Sequence, residues 1–309
     1  MTNIIVTGGS GLVGSAIQRT YGSIYKHFHL YYLSSNDCDL TNYEDSYNFI
    51  KQKQPHYVIH LAACVGGLYK NMNEKVAMIE TNTLINLNLL KICYELKVKK
   101  VISCLSTCIF PDKIKFPIDE TKLHNGPPHS SNEGYAYSKR LLETLSRCYN
   151  AQYNTDFICI IPTNIYGKND NFNLKDAHVI PALIHKAYIS KKNNVPFTIR
   201  GTGKPLRQFI FSEDLAILIM WCLEKYNDST SIILADSKEY SIKEISVIIA
   251  KYFNIDHIEF DSSFADGQYK KTADNAKLMK LNPFQFTTIE KGIKETCLWF
   301  EKNYENCRK

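Results

Sequence analysis

Three glycines follow directly on the first apolar run of the chain. The run Ile-Ile-Val occupies residues 4–6, and Gly8, Gly11 and Gly14 then form a G-x-x-G-x-x-G motif. The first glycine permits a tight turn, the second lets the backbone approach a pyrophosphate, and the third allows a helix to pack closely on the strand. Because phosphates bind at the positive end of such a helix, the motif predicts a strand–turn–helix unit that binds a dinucleotide.

Apolar strands and helices alternate through the first half of the chain. Further strands are predicted at residues 29–33, 57–63, 101–103 and 157–161. The pair Thr41 and Glu44 has the spacing of a capping box, which predicts a helix that extends toward Gln52. Strands that are apolar along their whole length are typical of a parallel sheet covered on both faces. The pattern therefore predicts an α/β fold with a Rossmann-type, doubly wound parallel sheet.

The second half of the chain has a looser pattern. Residues 162–177 are rich in Asn, Asp, Gly and Pro, which is typical of a long functional loop. Two more capping pairs, Ser241 with Glu244 and Thr287 with Glu290, predict later helices. We expect residues 1–168 to form the nucleotide-binding domain and residues 169–309 a smaller, mixed α/β substrate-binding lobe. Segments near residues 200–235 are expected to return to the first domain.

Charge and cysteine content exclude several classes of protein. The net charge of +6 is mild and the basic residues are scattered, which does not indicate a nucleic-acid partner. The ten cysteines form no C-x-x-C pair and no His cluster has metal-ligand spacing, so we predict reduced, mostly buried cysteines and no metal. No apolar run is long enough to span a bilayer, and Met1 leads directly into a strand. We expect a cytoplasmic protein without a membrane partner.

The predicted helix at residues 75–96 is apolar on more than one side. Residues 81–90 carry no charge, and their apolar side chains point in several directions: Leu84, Ile85, Leu87, Leu89 and Leu90. Packing on a sheet uses one apolar stripe, so a second buried side is implied. We expect a homodimer formed through this helix and the helix that begins near Tyr135. The alternative is that the C-terminal lobe covers the second side.

The end of the second main strand indicates which nicotinamide cofactor is bound. An acidic residue at that point would hold the ribose 2′-hydroxyl of NAD. The sequence at residues 33–36 is instead Leu-Ser-Ser-Asn, and the hydroxyls of Ser34 and Ser35 favour the 2′-phosphate of NADP(H), although no arginine is adjacent. Asp39 and Leu40 follow, and we expect Asp39 to hold the adenine amino group. The alternative for Asp39 is a capping or surface carboxylate.

A tyrosine and a lysine four residues apart predict the reducing centre. Tyr135 and Lys139 share one helical face, and Ser106 follows the strand predicted at residues 101–103. When a hydride reaches a ketone, the oxygen needs a proton, which a phenol supplies if its pKa falls from about 10 toward neutrality. We expect the Lys139 ammonium to cause that fall, and Ser106 to bind the same carbonyl oxygen. The alternative is a surface helix on which this pair is incidental.

Cys108 and His178 suit a second reaction. Hydrogens on carbons beside a ketone are acidic, and inversion of such a carbon takes a base on one face and an acid on the other. A thiolate and an imidazole are suited to act as this base and this acid near neutral pH. From the residues alone, the alternatives are that Cys108 is a core residue and that His178 caps a helix at residues 178–184.

Taken together, these residues resemble the GDP-L-fucose synthase family, which belongs to the extended short-chain dehydrogenases/reductases. The motifs that carry the resemblance extend over almost the whole chain: residues 7–14, Val65-Gly66-Gly67, residues 105–111, His124-Asn125-Gly126-Pro127-Pro128, residues 162–167, Asp170-Asn171-Phe172, residues 178–183, and Asp266-Gly267-x-x-Lys270-Lys271. The combination of Ser-x-Cys, Asp-Asn-Phe and His-Val-Ile-Pro is specific to this family.

The resemblance implies an epimerase-reductase reaction. The implied substrate is GDP-4-keto-6-deoxy-D-mannose and the implied product is GDP-L-fucose. Cys108 would act as the base and His178 as the acid for inversion at C3 and C5. Tyr135 would then donate the proton during NADPH-dependent reduction of the C4 ketone, with Ser106 and Lys139 in support.

The full set of predicted contacts combines the motifs with the resemblance. Cofactor contacts are predicted at Gly8, Gly9, Ser10, Gly11, Leu12, Val13, Gly14, Ser34, Ser35, Asp39, Leu40, Leu61, Ala62, Ala63, Leu105, Lys139, Pro162, Asn164, Ile165 and His178. Substrate contacts are predicted at Ser106, Cys108, Tyr135, Asn164, Val179, Lys186, Arg200, Arg207 and Asp266. Lys186 and Arg207 correspond to basic positions that meet the phosphates of the substrate.

Two departures from the family and three rival functions remain. Arg200 stands where many relatives have Trp, and Lys186 replaces the Arg of bacterial relatives, which gives up bidentate geometry. A nucleotide-sugar 4,6-dehydratase would have an acidic pair where this chain has Thr107 and Cys108, and a 4-epimerase would not need Cys108 together with His178. A non-catalytic NADP-binding protein usually lacks the tyrosine or the lysine.

Overall fold

A seven-stranded sheet forms the centre of the part of the chain that the structure describes. The structure is a computed structural model; it describes residues 1–264, 266 and 269–309, without the side chains of residues 68 and 69. Gly267 of the family motif lies outside the described residues. The strands are β1 (Thr2–Thr7), β2 (Ile24–Tyr25), β3 (Phe28–Leu33), β4 (Tyr57–His60), β5 (Lys100–Cys104), β6 (Phe157–Pro162), β7 (Asn164–Tyr166), β8 (Phe197–Arg200), β9 (Leu206–Arg207), β10 (Phe209–Phe211), β11 (Ile232–Leu234), β12 (Tyr240–Ser241) and β13 (Ile258–Asp261).

The helices alternate with these strands. They are α1 (Leu12–Tyr21), α2 (Tyr43–Lys53), α3 (Leu68–Asn73), α4 (Lys75–Glu95), α5 (Glu133–Tyr153), α6 (Val179–Asn193), α7 (Ser212–Lys225), α8 (Ile242–Phe253), α9 (Ala276–Leu281) and α10 (Ile289–Asn303), with short 3-10 helices at Thr107–Ile109, Glu120–Lys122 and Ser130–Asn132. None of the helices in the described residues has an apolar stretch long enough to cross a membrane.

The strand order in the central sheet is β11-β6-β5-β4-β1-β3-β2. Every neighbouring pair is parallel except β2 with β3, which form an antiparallel edge that the sequence did not predict. Alternate residues of β1 enter different cores: Ile5 packs with α4 and α5, whereas Ile4 and Val6 pack with α1 and α7. The sheet is thus covered on both faces, and the predicted Rossmann-type α/β fold is confirmed.

The chain leaves the central sheet after β6 and later returns to it. The strand β11 pairs with β6, and α7 packs on α1, so both belong to the layers around the sheet. Between and after them, β8 pairs with β13 and β9 with β12, and a third core joins α6, α8 and α10. This second group of elements is called the lobe below, and three short sheets lie outside the central one.

Two of the three predicted capping pairs are wrong, and competing polar contacts explain why. Asp39 Oδ1 accepts hydrogen bonds from Thr41 N at 2.9 Å and Thr41 Oγ1 at 2.8 Å, so Asn42 caps α2 instead. Thr287 is likewise bound to Asp214, through Oδ2 at 2.7 Å and Oδ1 at 2.8 Å, and Thr288 caps α10. The box formed by Ser241 at the start of α8 is present as predicted.

Two other boundaries differ from the prediction. β4 ends at His60, because the following amides of Leu61 and Ala62 turn to donate to Thr7 Oγ1, each at 3.2 Å. The expected loop at residues 162–177 also contains β7, which pairs with β10.

The glycine loop generates a stability prediction. A Cβ at position 14 would lie 2.5 Å from the backbone oxygen of Gly8, so Gly14→Ala must push α1 away from the loop. Overpacking of this kind costs about 1–3 kcal/mol. We expect the free energy of unfolding, measured by urea titration, to fall by about 2 kcal/mol, whereas Ser15→Ala on the same helix changes it by less than about 0.5 kcal/mol. Equal stability of Gly14→Ala and wild type would contradict the close packing.

Candidate active site at the carboxyl ends of the strands

A cleft of about 840 Å³ follows the carboxyl ends of the parallel strands. Residues that follow β1, β3, β4, β5 and β6 all contribute to its wall, because these strand ends share one edge of the sheet. Every predicted cofactor contact lines this cleft except Gly9. A Cβ on Gly9 would lie 2.7 Å from Tyr32 Cβ, and the Gly9 amide donates to Leu33 O at 2.7 Å. Gly9 thus packs the loop against β3 rather than facing the cleft.

The glycine loop has the shape that a dinucleotide needs. Gly8 has a φ of +68°, and a Cβ there would lie 2.9 Å from Ala62 N, so only glycine fits this turn. The turn aims the amino end of α1 into the cleft. Two buried oxygens among the lining residues, Thr163 Oγ1 and Asp170 Oδ2, have no hydrogen-bond partner in the described structure. A polar ligand in the cleft would complete them, so the residues present fit a dinucleotide.

The adenosine end of the cleft is more crowded than the sequence suggested. Ser34 donates from its amide and its hydroxyl to Asp37 Oδ2, at 2.8 and 2.6 Å, so a carboxylate does stand close to the end of β3. These bonds lower the pKa of Asp37. Ser35 lines the cleft and is exposed. Asp39 also lines it, although its Oδ1 already accepts two hydrogen bonds from Thr41.

Tyr135 and Lys139 lie on α5 with their side chains at the cleft. Lys139 is 1% exposed; its Nζ is 5.9 Å from the centroid of the Tyr135 ring and donates to Cys104 O at 2.8 Å. That carbonyl, at the end of β5, is a partner that no residue pattern could reveal, because it is a main-chain atom. The incidental surface pair is therefore excluded by the burial of Lys139.

Burial dominates the protonation of both groups. It raises the pKa of the Tyr135 phenol well above its usual value, helped by the nearby thiols of Cys108 and Cys104, and it lowers the pKa of Lys139. The expected fall of the phenol pKa toward neutrality is thus wrong for the protein by itself, because desolvation outweighs the neighbouring ammonium. At neutral pH the phenol stays protonated, which is the form a proton donor requires.

A buried chain of hydrogen bonds connects the glycine loop to α5. Thr7 Oγ1 is 2.9 Å from His60 Nδ1, His60 Nε2 is 3.0 Å from Asn86 Oδ1, and Asn86 Nδ2 donates to Ser138 O at 3.3 Å. All four residues are at most 1% exposed. Burial, followed by the charge of Lys139, lowers the pKa of His60 to about 3, so this imidazole is neutral.

Ser106 and Cys108 lie at the turn that follows β5. Ser106 lines the cleft, and its Oγ accepts from Cys108 N at 3.4 Å, which caps the 3-10 helix Thr107–Ile109. Cys108 is partly buried, packs against the edge of the core, and is close enough to Tyr135 to raise the phenol pKa. Cys108 therefore both contacts the hydrophobic core and lies near Tyr135.

His178 precedes α6 and lines the cleft. It occupies the N-cap position of α6, as the alternative expected, but its side chain forms no capping hydrogen bond with the helix, so the imidazole is not used by the cap. The ring is open to solvent within the cleft yet enclosed by protein on other sides, and this desolvation lowers its pKa. At neutral pH the imidazole is therefore neutral in the protein by itself.

Four cationic side chains form two close pairs outside the glycine loop. Lys186 on α6 and Arg200 at the end of β8 interact electrostatically, as do Arg207 on β9 and Lys271. Lys271 also interacts with the Cys108 thiol, and burial is the main cause of its lowered pKa. The sequence signal for Lys271 was its place in the family motif, but no role followed from it.

The remaining predicted substrate contacts lie in the lobe. The Arg200 guanidinium is 4.6 Å from the centroid of the Phe264 ring, and Asp266 accepts from Thr202 N at 2.9 Å and Thr202 Oγ1 at 2.5 Å. Val179 is exposed at the start of α6. No cluster of three metal-ligating side chains occurs among the residues the structure describes.

Comparison with known proteins identifies the family. A model of the NAD dependent epimerase/dehydratase family matches residues 4–235. The chain is 50% identical to the GDP-L-fucose synthase of Dictyostelium discoideum, over 99% of this chain and 97% of that protein, and 43% identical to a probable GDP-L-fucose synthase of Drosophila melanogaster over the full length of both.

A solved structure agrees with the sequence relatives. The crystal structure of a GDP-L-fucose synthetase from Naegleria fowleri bound to NADP superimposes with a TM-score of 0.95 at 47% identity, covering 100% of this chain and 95% of that one. The chain therefore belongs to the NAD dependent epimerase/dehydratase family and, within it, to the GDP-L-fucose synthases.

Proposed function

We propose that this protein converts GDP-4-keto-6-deoxy-D-mannose to GDP-L-fucose, by epimerisation at C3 and C5 followed by NADPH-dependent reduction of the C4 ketone. The observation that carries the proposal is the placement of Ser106, Tyr135 and Lys139 in one cleft with the glycine loop, while Cys108 lies beside Tyr135. The similarity to GDP-L-fucose synthases and to an NADP-bound relative supports the same substrate and cofactor.

In the reduction, the protein supplies a proton and stabilises the negative charge that develops on the C4 oxygen. Bound NADPH supplies a hydride to C4 of the sugar. Tyr135, held protonated by burial, donates its proton to the C4 oxygen as negative charge develops there. Ser106 donates a second hydrogen bond to that oxygen, and the Lys139 ammonium stabilises the phenolate that Tyr135 leaves behind.

In the epimerisation, the same oxygen carries the charge. Cys108 removes a proton from the carbon beside the ketone. The enolate that this forms is stabilised by hydrogen bonds from Tyr135 and Ser106 to its oxygen. His178 then returns a proton to the opposite face of the carbon, so that the centre is inverted. His178 must be protonated for this step, and negative charge on the bound substrate favours that by raising the imidazole pKa.

The basic group around the lobe suits the diphosphate of the substrate. Burial lowers the pKa of Lys186 and of Arg207, and each lies near another cation, an arrangement that a bound anion would relieve. Arg200 and Asp266 stand at the edge of this region, where the nucleoside would extend. Asp266 already uses both oxygens to bind Thr202, so its contribution includes holding that loop in place.

The surface formed by α4 and α5 supports a homodimer. Leu84 and Leu87 on α4 are 47% and 40% exposed, while Ile85, Leu89 and Leu90 are buried, so the C-terminal lobe does not cover the outer side. Tyr137 and Leu141 on α5 add to the same apolar surface. We propose that a second copy of the chain covers it.

Ten free cysteines fit a reducing compartment, so we place the enzyme in the cytoplasm.

Tyr135→Phe tests the overall reaction together with the proton donor. Wild type supplied with GDP-4-keto-6-deoxy-D-mannose should oxidise NADPH in preference to NADH and yield GDP-L-fucose, identified by NMR.

Tyr135→Phe should lower kcat by about 100-fold or more, because it removes the acid, and leave the Kd for NADPH within about threefold. Tyr153→Phe, at the exposed carboxyl end of α5, is the matched control. Formation of a different sugar by wild type would refute the proposed function.

Cys108→Ser tests the base independently of the reduction. Without NADPH, wild type in heavy water should place deuterium at C3 and C5 of the keto sugar, detected by NMR. A serine hydroxyl is a far weaker acid than a thiol, so exchange should slow by about 100-fold or more. Cys148→Ser, which alters an exposed thiol of α5, should exchange at the wild-type rate. Full exchange in Cys108→Ser would show that another group is the base.

Leu84→Glu tests the dimer. A charge on the apolar surface of α4 would be buried without a partner, so sedimentation equilibrium should show dissociation to monomers with at least a tenfold weaker association, about 1.4 kcal/mol. Val247→Glu on α8 changes a side chain of similar exposure, 48%, away from this surface and should remain dimeric. A wild-type protein that sediments as a monomer would refute the dimer itself.

A further inference from the structure

The C-terminal segment contributes to the wall of the cofactor cleft. Arg308 lines the cleft, although it is remote in sequence from every other lining residue. Its carbonyl accepts a hydrogen bond from Phe172 N at 2.7 Å, and its Nη2 donates to Asn169 O at 2.5 Å. The segment is therefore fixed to the loop after β7, and the guanidinium has a defined position.

That position is beside α1, whose amino end opens into the cleft. Arg19 on α1 donates from Nη1 to Asn169 Oδ1, and Asn169 O is the atom that holds Arg308. Leu12, the first residue of α1, lines the same cleft as Arg308. Arg308 and the amino end of α1, where a pyrophosphate is expected, therefore face the same cleft.

Asp170 lies in the same wall of the cleft, and one of its carboxyl oxygens has no hydrogen-bond partner in the described structure. It is 5% exposed and lines the cleft; Oδ1 accepts from Asn171 N at 2.7 Å, while Oδ2 is buried without a partner. Burial raises the pKa of Asp170 to about 7, against the opposing charge of Arg308. No ion pair among the described residues includes Arg308, so its charge is not neutralised by a close carboxylate.

Arg308 adds positive charge to a cleft that is expected to bind an anionic pyrophosphate. The lining residues that the structure describes include one lysine and one arginine, Lys139 and Arg308, and burial lowers the pKa of the lysine. Lys139 is committed to Cys104 O and to Tyr135. The glycine loop itself offers Ser10, Leu12 and Val13, none of which is charged.

We propose that Arg308 is a further cofactor-binding residue, which donates hydrogen bonds from its guanidinium to the pyrophosphate of the dinucleotide. The proposal rests on the proposed function in one respect, that NADP(H) is the cofactor. The helix terminus supplies main-chain donors, and Arg308 supplies the side-chain charge that the loop lacks. The buried oxygen of Asp170 is then completed by a hydroxyl of the same bound molecule.

The test is equilibrium binding of NADPH to the full-length protein, followed by the fluorescence of the nicotinamide. Arg308→Ala should raise the Kd about 5- to 20-fold, as expected for loss of a charge-assisted hydrogen bond. Arg308→Gln keeps a donor for Asn169 O but removes the charge, and should be weakened similarly. Arg308→Lys should recover part of the loss, and Lys302→Ala on α10, an exposed charge of the same sign, should bind as wild type.

Two further measurements separate a contact with the cofactor from a contact with the nucleotide of the substrate. The affinity of wild type for NADPH should fall more steeply with salt than that of Arg308→Gln. Titration with GDP should give the same Kd for both, since the pyrophosphate concerned is that of the dinucleotide. A changed affinity for GDP with an unchanged affinity for NADPH would overturn the proposal.

The proposal and the proposed function fail in different ways. If wild type binds NADPH but Arg308→Ala and Arg308→Gln bind it equally well, the contact with Arg308 is refuted and the catalytic proposal stands. If Arg308→Gln binds as wild type and only Arg308→Ala is weak, the residue merely holds the segment in place, which also refutes it. If wild type does not bind NADPH, both proposals are refuted.

Discussion

The buried chain from Thr7 through His60 and Asn86 to Ser138 O is the constraint on which the site depends. It joins the strand that begins the glycine loop to the helix that carries Tyr135 and Lys139, at distances of 2.9, 3.0 and 3.3 Å. An unpaired polar group at this depth would cost about 1–3 kcal/mol, so each link fixes its neighbours. The cofactor loop and the reducing pair are thereby held in one register, before any ligand binds.

The sequence predicted those parts of the site that depend on local spacing. The glycine loop follows from three positions near β1, and Tyr135 with Lys139 follows from the helical period. Competing polar contacts were not predicted: Thr41 and Thr287 have the spacing of caps but bind Asp39, two residues away, and Asp214, which is remote in sequence. Similarly, no local signal brings Arg308 to the cleft, since its place depends on how the lobe folds back.

Protonation is where sequence reasoning was least reliable, because it counted charges and not desolvation. Lys139 is near Tyr135, yet burial of both moves the phenol pKa up and the lysine pKa down. The result is still a competent donor, since a reduction needs the protonated phenol. What the ammonium contributes is stabilisation of the phenolate after the proton has left, when the charge that it faces has appeared.

The late return of β11 to the sheet has a consequence for synthesis. β6 is left as an open edge until residues 232–234 pair with it, and the whole segment from β7 to α7 lies between the two in the sequence. While the chain emerges from the ribosome, that edge stays exposed to other nascent chains. Protein production in cells should therefore depend on chaperones that shield the incomplete sheet over this interval.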